Sequence, residues 1–288
     1  MRLFAFGLGY TARAFIARTR DVFTDVAGTV RTAGKAAPMA GSGIRVHVLD
    51  DAAGNAVVDD IRRADALLVS AGPAGEGDPF LARFGDALDG AGISWIGYLS
   101  TIGVYGDHGG AWVDEAEPPS PVSRRARERI AAEAAWLAEP RTGAAVQVFR
   151  LAGIYGPGRN ALVKLAHGEA RRIVKPGQVF NRIHVDDIAA VLMASIRRPR
   201  GGAIYNVSDD EPGPPQDVIA YAADLAGVPP PPEIAFAEAD LGPMARAFYA
   251  DSKRIANRLI KDELGVRLTY PTYREGLKAL LEAGEFTL

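Results

Sequence analysis

The chain contains no cysteine. Disulfides, thiolate nucleophiles and cysteine–zinc sites are therefore excluded, and the absence accords with a reducing compartment. It also lacks a basic excess: 33 Lys and Arg stand against 35 Asp and Glu, for a net charge of −2. A surface for nucleic acid or anionic lipid needs a cationic balance, so neither partner is expected. No run approaches the roughly 18 apolar residues of a membrane span. The opening MRLFAFGLGY breaks at Gly7, too early for a signal peptide. The expectation is a soluble cytoplasmic protein. Its four histidines, His47, His108, His167 and His184, have no metal-ligand spacing, so no metal site is expected. No G-x-S-x-G elbow is present, which removes α/β-hydrolase chemistry.

The 288 residues, 48% hydrophobic and 24% charged, are enough for one two-lobed domain or two modest ones. Short apolar runs alternate with helical patterns. RLFAF (2–6), VAGTVR (26–31), IRVHVL (44–49), ADALLVSAG (64–72), ISWIGYLS (93–100) and AVQVFRL (145–151) read as strands. Helices are predicted over 10–19, 78–89 and 121–138. The alternation implies parallel strands with crossover helices, a doubly wound α/β sheet. Beyond Gly153 the regularity loosens. A helix near 185–197 and a strand at 203–207 are predicted, then a turn-rich DDEPGPPQ (209–216). An extended link follows at Pro229–Pro232, and two helices, 251–265 and 271–283, are separated by a short strand and a turn at Tyr270-Pro271.

The stretch FAFGLGYTARAF carries Gly7, Gly9 and Ala12, a G-x-G-x-x-A pattern between a predicted strand and a predicted helix. Gly7 permits the tight turn, Gly9 lets the backbone approach a pyrophosphate, and Ala12 allows close helix–strand packing. With Tyr10 and Thr11 they open the helix whose N-terminus would receive the phosphates. A glycine-rich turn of an unrelated α/β fold is the alternative. At the end of the second strand, where an acid usually binds the ribose of NAD, this chain has Arg31, with Thr32 and Lys35 beside it. A guanidinium can fork a 2′-phosphate that a carboxylate would repel, so NADP is favoured over NAD. The small residues Ser70, Ala71 and Gly72, closing the fourth strand, complete the expected cofactor edge.

LSTIGVYGD (99–107), FRLAGIYGPGRN (149–160), RIHVDDIA (182–189) and AIYNVSDDEP (203–212), in this order behind GLGYTA, resemble the extended and atypical short-chain dehydrogenases/reductases, in particular the NAD-dependent epimerase/dehydratase-like proteins. The resemblance covers nearly the whole chain. It implies a Rossmann-type lobe at 1–152, to which 181–207 returns, and a smaller C-terminal substrate lobe from 153–180 and 208–288. It implies a small polar molecule as substrate, with sugar- and nucleotide-linked compounds among the candidates. By analogy, the helices at 78–89 and 121–138 would pair across the two-fold of a homodimer.

Family members use a Ser or Thr after the fifth strand and a Tyr-x-x-x-Lys pair on the next helix. Thr101 matches the first of these positions, with Ser100 its neighbour. Counting back from Ala131-Ala132-Glu133, the pair is replaced by Arg125 and Arg129. Arg129 retains donors for a nicotinamide ribose. Arg125 cannot act as an acid or base, because guanidinium stays protonated and has no acceptor, but it can bind an anionic substrate group. The plainer reading is a polar helix face with ion pairs Arg124–Glu128 and Arg129–Glu133 over a buried stripe of Ala126, Ile130, Ala134 and Leu137. Tyr105 is a candidate proton donor, and Tyr155 is a second candidate and a substrate-binding residue; in the family that the chain resembles both positions more often look structural or substrate-lining. Two functions stay open: an oxidoreductase, epimerase or dehydratase with an atypical site, and a non-catalytic dinucleotide-binding sensor.

Overall fold

A computed structural model describes residues 1–49, 54–73, 75 and 77–287. Its central element is a seven-stranded sheet of β1 (Arg2–Phe6), β2 (Asp25–Val30), β3 (Ile44–Val48), β4 (Ala66–Val69), β5 (Trp95–Thr101), β7 (Ala145–Leu151) and β11 (Ala203–Val207). The spatial order is β11-β7-β5-β4-β1-β2-β3, and the run from β3 to β5 is parallel throughout. This is the doubly wound order with its switch point between β1 and β4. All seven predicted strands are present. The strands β1 and β4 are nearly continuous apolar runs because helices cover both faces.

The chain divides into two compact units, the first made of residues 1–101, 124–150 and 188–205, the second of 102–123, 151–187 and 206–288. Residues 102–123 group with the second unit, and residues 188–205 return to the first.

In the first unit, α1 (Tyr10–Arg18) buries Thr11, Ala12, Phe15 and Ile16, a helical stripe against the sheet. The helices α4 (Pro79–Phe84) and α5 (Arg124–Leu137) bring Phe80, Phe84, Ala132 and Trp136 onto the core that contains Phe4, Phe6, Leu67 and Tyr98. The predicted helix at 78–89 breaks into α4 and a 3-10 turn, Gly85–Leu88. Two short helices were not predicted, α2 (Ala33–Ala36) and α3 (Gly54–Arg63). In α3 a buried carboxylate, Asp60, is held by Arg45 (Nε, 3.2 Å), His47 (2.7 Å) and Arg63 (2.7 Å). Although its burial works in the opposite direction, these partners keep its pKa below the ordinary value.

The second unit contains three two-stranded pairs: β8 (Gly153–Tyr155) with β10 (Arg182–His184), β9 (Arg172–Val174) with β12 (Glu233–Ala235), and β6 (Trp112–Val113) with β13 (Arg254–Ile255). Its core joins Tyr155 and Leu162 of the segment around α6 (Ala161–Ala166) to Ile219 and Ala222 of α8 (Pro215–Leu225) and Leu277 of α11 (Tyr273–Glu282). A capping box between Thr272 and Glu275 starts α11. The short α9 (Pro243–Ala247) and α10 (Arg258–Asp262) complete this unit. The predicted helix at 251–265 is only α10; residues 251–257 are extended around β13, and no strand lies between α10 and α11 among the described residues. The helix α7 (Val185–Arg197) matches its prediction. No helix among the described residues is long and apolar enough to cross a membrane.

Candidate functional site

The site begins where β1 ends. Gly7 has φ +98°, a left-handed conformation that side chains resist. A Cβ there would also come within 2.9 Å of the Ala71 amide nitrogen. Thr29 of β2 fastens the crossover: its Oγ1 accepts from Gly7 N (2.9 Å) and its carbonyl from Leu8 N (2.8 Å). Gly9 is different, because a Cβ there would meet open space. It is the N-cap of α1, with no side-chain cap and no acid in the first turn. The positive end of the helix dipole is thus presented bare behind two glycines. Tyr10 is half-buried at the first helical position, while Thr11 and Ala12 are buried beneath it.

Arg31 and Thr32 leave β2 at the strand's end, and both are exposed, as is Lys35. Arg31 has no ion-pair or hydrogen-bond partner among the described residues. Ser70 and Ala71 donate their backbone N–H groups to Phe6 O, each at 3.0 Å, which holds the turn after β4 beside the glycine loop. Gly72 follows and is exposed.

The helix α5 brings Arg129 to this turn. Its Nη1 donates to Leu99 O (2.7 Å) and Tyr98 Oη (3.3 Å), and its Nη2 lies 2.8 Å from where a Cβ of Gly72 would stand. Burial raises the Tyr98 phenol to about 12, partly offset by the Arg129 charge, so it stays neutral. Arg125, one turn earlier, is exposed and has no partner among the described residues.

Thr101 closes β5, half-buried. Its neighbour Ser100 faces inward and donates to Glu133, whose carboxylate also accepts from Arg150 Nη2 (2.7 Å). All three are at least 95% buried. The expected Arg129–Glu133 pair is therefore not formed, whereas Arg124–Glu128 is, at 2.7 Å. The buried stripe of α5 runs through Ala126, Ala132, Glu133 and Trp136; Ala134 and Leu137 are exposed. Glu133 is buried because Arg150 neutralises it, and this rotates the helix from its purely apolar register. A glutamate four residues after the lysine-equivalent position, together with a lone arginine inside the apolar AVQVFRL, is the signal that could have found the pair.

Both candidate tyrosines lie in the second unit. Tyr105 is fully buried and its hydroxyl donates to Asn206 Oδ1 (2.8 Å). Tyr155 donates to Thr272 O (3.3 Å) and fits its ring against Gly276, where a Cβ would sit 2.1 Å from the hydroxyl. Burial raises the Tyr155 pKa strongly. Both phenols are buried and hydrogen-bonded within the second unit. The acids after β5 likewise tie backbone: Asp107 accepts from Ser252 N (2.7 Å), Asp114 from Ala116 N (3.0 Å) and Glu115 from Asn206 N (2.8 Å). His184 accepts from Asp186 N (3.2 Å) at the start of α7.

The strand order, the glycine crossover and the bare helix terminus define a Rossmann-type fold of the dinucleotide-binding class. No family model matches the chain. Protein YeeZ of Escherichia coli K12 is 31% identical over 222 residues, 74% of each chain. A conserved protein of unknown function from Silicibacter pomeroyi DSS superimposes with TM-score 0.89 at 50% identity, over 99% of each chain. A structure from Methylobacillus flagellatus, classed as an NAD-dependent epimerase/dehydratase, gives TM-score 0.74 at 26% identity over 98% of each chain. The chain belongs to the extended/atypical short-chain dehydrogenase/reductase family, among the NAD-dependent epimerase/dehydratase-like proteins and alongside Protein YeeZ.

Proposed function

We propose that this protein is an NADP(H)-binding oxidoreductase, epimerase or dehydratase of atypical active site, acting on a small polar substrate, with sugar- and nucleotide-linked compounds among the candidates. The observation that carries the reading is the N-terminus of α1, without a side-chain cap behind Gly7 and Gly9, with Arg31, unpaired among the described residues, at the end of the adjacent strand. The name of the Methylobacillus relative, NAD-dependent, supports the dinucleotide. A 3-diazoavenalumate denitrifying reductase of Streptomyces, 28% identical over 45% of this chain, supports reduction.

The residues present fit such a cofactor. Gly7, Gly9 and the first turn of α1 would receive the pyrophosphate. Arg31, Thr32 and Lys35 would take a 2′-phosphate, Ser70 to Gly72 would border the adenosine side, and Arg129 would donate to ribose hydroxyls. The bound nicotinamide would supply hydride chemistry. Thr101 would orient a substrate oxygen through its hydroxyl, and Arg125 would bind an anionic substrate group. The second unit would serve as the substrate lobe. No tyrosine in this chain takes the usual acid's place on α5, so a proton would come from substrate or solvent.

The Arg125 substitution also favours a second reading, a non-catalytic dinucleotide sensor. Mixing the protein with NADPH and a panel of carbonyl compounds, and following nicotinamide absorbance, separates the two. Turnover lost in Thr101→Val and kept in Tyr105→Phe supports the enzyme. Tight NADPH binding without turnover on any substrate supports the sensor.

A further inference from the structure

By the family resemblance Arg129 takes the place of the lysine of the Tyr-x-x-x-Lys pair, and its surroundings differ from what an ammonium group needs. One nitrogen, Nη1, is fixed by two acceptors of β5, Leu99 O at 2.7 Å and Tyr98 Oη at 3.3 Å. The guanidinium carbon lies 5.7 Å from the centre of the Tyr98 ring. The other end of the fork, Nη2, occupies the space that a side chain at Gly72 would fill, 2.8 Å from an ideal Cβ. Nε and Nη2 have no protein partner among the described residues. Ala71, next to Gly72, is the residue against which Gly7 packs, so these open donors border the glycine loop.

We propose that Gly72, Tyr98 and the Leu99 carbonyl form a seat specific for arginine, and that Gly72 and Tyr98 act as positioning residues which aim Nε and Nη2 of Arg129 at the cofactor. The inference rests on the reading of Arg129 as a cofactor residue. A lysine cannot replace it, because a single nitrogen held by Leu99 and Tyr98 has no second nitrogen to present. Gly72 has no left-handed φ, so alanine is tolerated by its backbone and acts only by displacing the guanidinium.

The test is an NADPH fluorescence titration of wild type, Arg129→Ala, Arg129→Lys, Gly72→Ala, Tyr98→Phe and the Gly72→Ala/Arg129→Ala double variant, with thermal unfolding of each. Losing a hydrogen bond from a charged group should weaken NADPH about 10-fold in both Arg129 variants and in Gly72→Ala. Tyr98→Phe should weaken it about 3-fold, since Leu99 O still holds Nη1. The unfolding temperature of Gly72→Ala should match wild type. In the Arg129→Ala background, Gly72→Ala should change affinity less than about 2-fold, because its effect passes through the absent guanidinium. Weakened binding in Arg129→Ala, with wild-type affinity in Arg129→Lys or with additive effects of Gly72→Ala, would overturn the seat and leave the cofactor role intact. Wild-type affinity in Arg129→Ala would overturn the cofactor role, and the seat with it.

Discussion

Asp209→Asn should stabilise this protein at neutral and alkaline pH. Asp209 is 2% exposed; its Oδ1 accepts only from Glu211 N at 3.3 Å, and its Oδ2 has no partner. Arg182 lies nearby but gives its Nη1 to Phe180 O (3.1 Å) and Gly213 O (3.2 Å). Burial, reinforced by Asp210 and Glu211 and opposed by Arg182, pushes the Asp209 carboxyl up to about 8. A carboxyl raised in the folded state contributes its full stability below its unfolded pKa, near 4, and loses it as pH rises towards 8. At pH 7 the span between the two values corresponds to roughly 4 kcal/mol. Asparagine keeps the shape and never ionises, so the variant should exceed wild type by about 2–4 kcal/mol at pH 7 to 8, and the difference should vanish near pH 4. Urea denaturation across that range measures it. A variant less stable than wild type at pH 7 to 8 would refute the reasoning, because it would mean that the folded state holds a charged Asp209 paired with Arg182.

Glu133→Gln should cost about 3 kcal/mol in urea denaturation, since it leaves Arg150 charged and buried, and Glu133→Gln/Arg150→Met should recover much of that loss. Tyr105→Phe should cost about 1–2 kcal/mol by leaving Asn206 Oδ1 without its donor, while NADPH affinity stays at the wild-type value in a fluorescence titration. Gly7→Ala should abolish NADPH binding, because it strains a left-handed backbone and drives a methyl group against Ala71.

The sheet was legible because its strands are short apolar runs closed by small residues, the mark of strands buried on both faces. The glycine loop was legible because its function is local: turn, approach and helix start lie within six residues. What escaped the sequence was non-local. Asp60 makes α3 look solvated, yet Arg45 and His47 reach it from β3. Pro215 reads as punctuation, but it begins α8, where its missing N–H is harmless. Residues 251–257 carry a helical composition and are drawn out instead by distant carbonyls: Lys253 Nζ donates to Gly106 O and Asn257 to Ser208 O, each at 2.8 Å. At the site, the readings of positions 125 and 129 follow from the family resemblance and a count back from Ala131-Ala132-Glu133. The role of Gly72 depends on α5 meeting the β4 turn, a contact between residues far apart in the chain.

The central claim is a working NADP(H) site built from the glycine loop and Arg31. The most direct measurement is a calorimetric titration of the protein with NADPH and NADH, repeated on Arg31→Ala. Tighter binding of NADPH, reduced to the NADH level by Arg31→Ala, is the predicted result. Binding of neither nucleotide, or a preference for NADH that Arg31→Ala leaves unchanged, would contradict it.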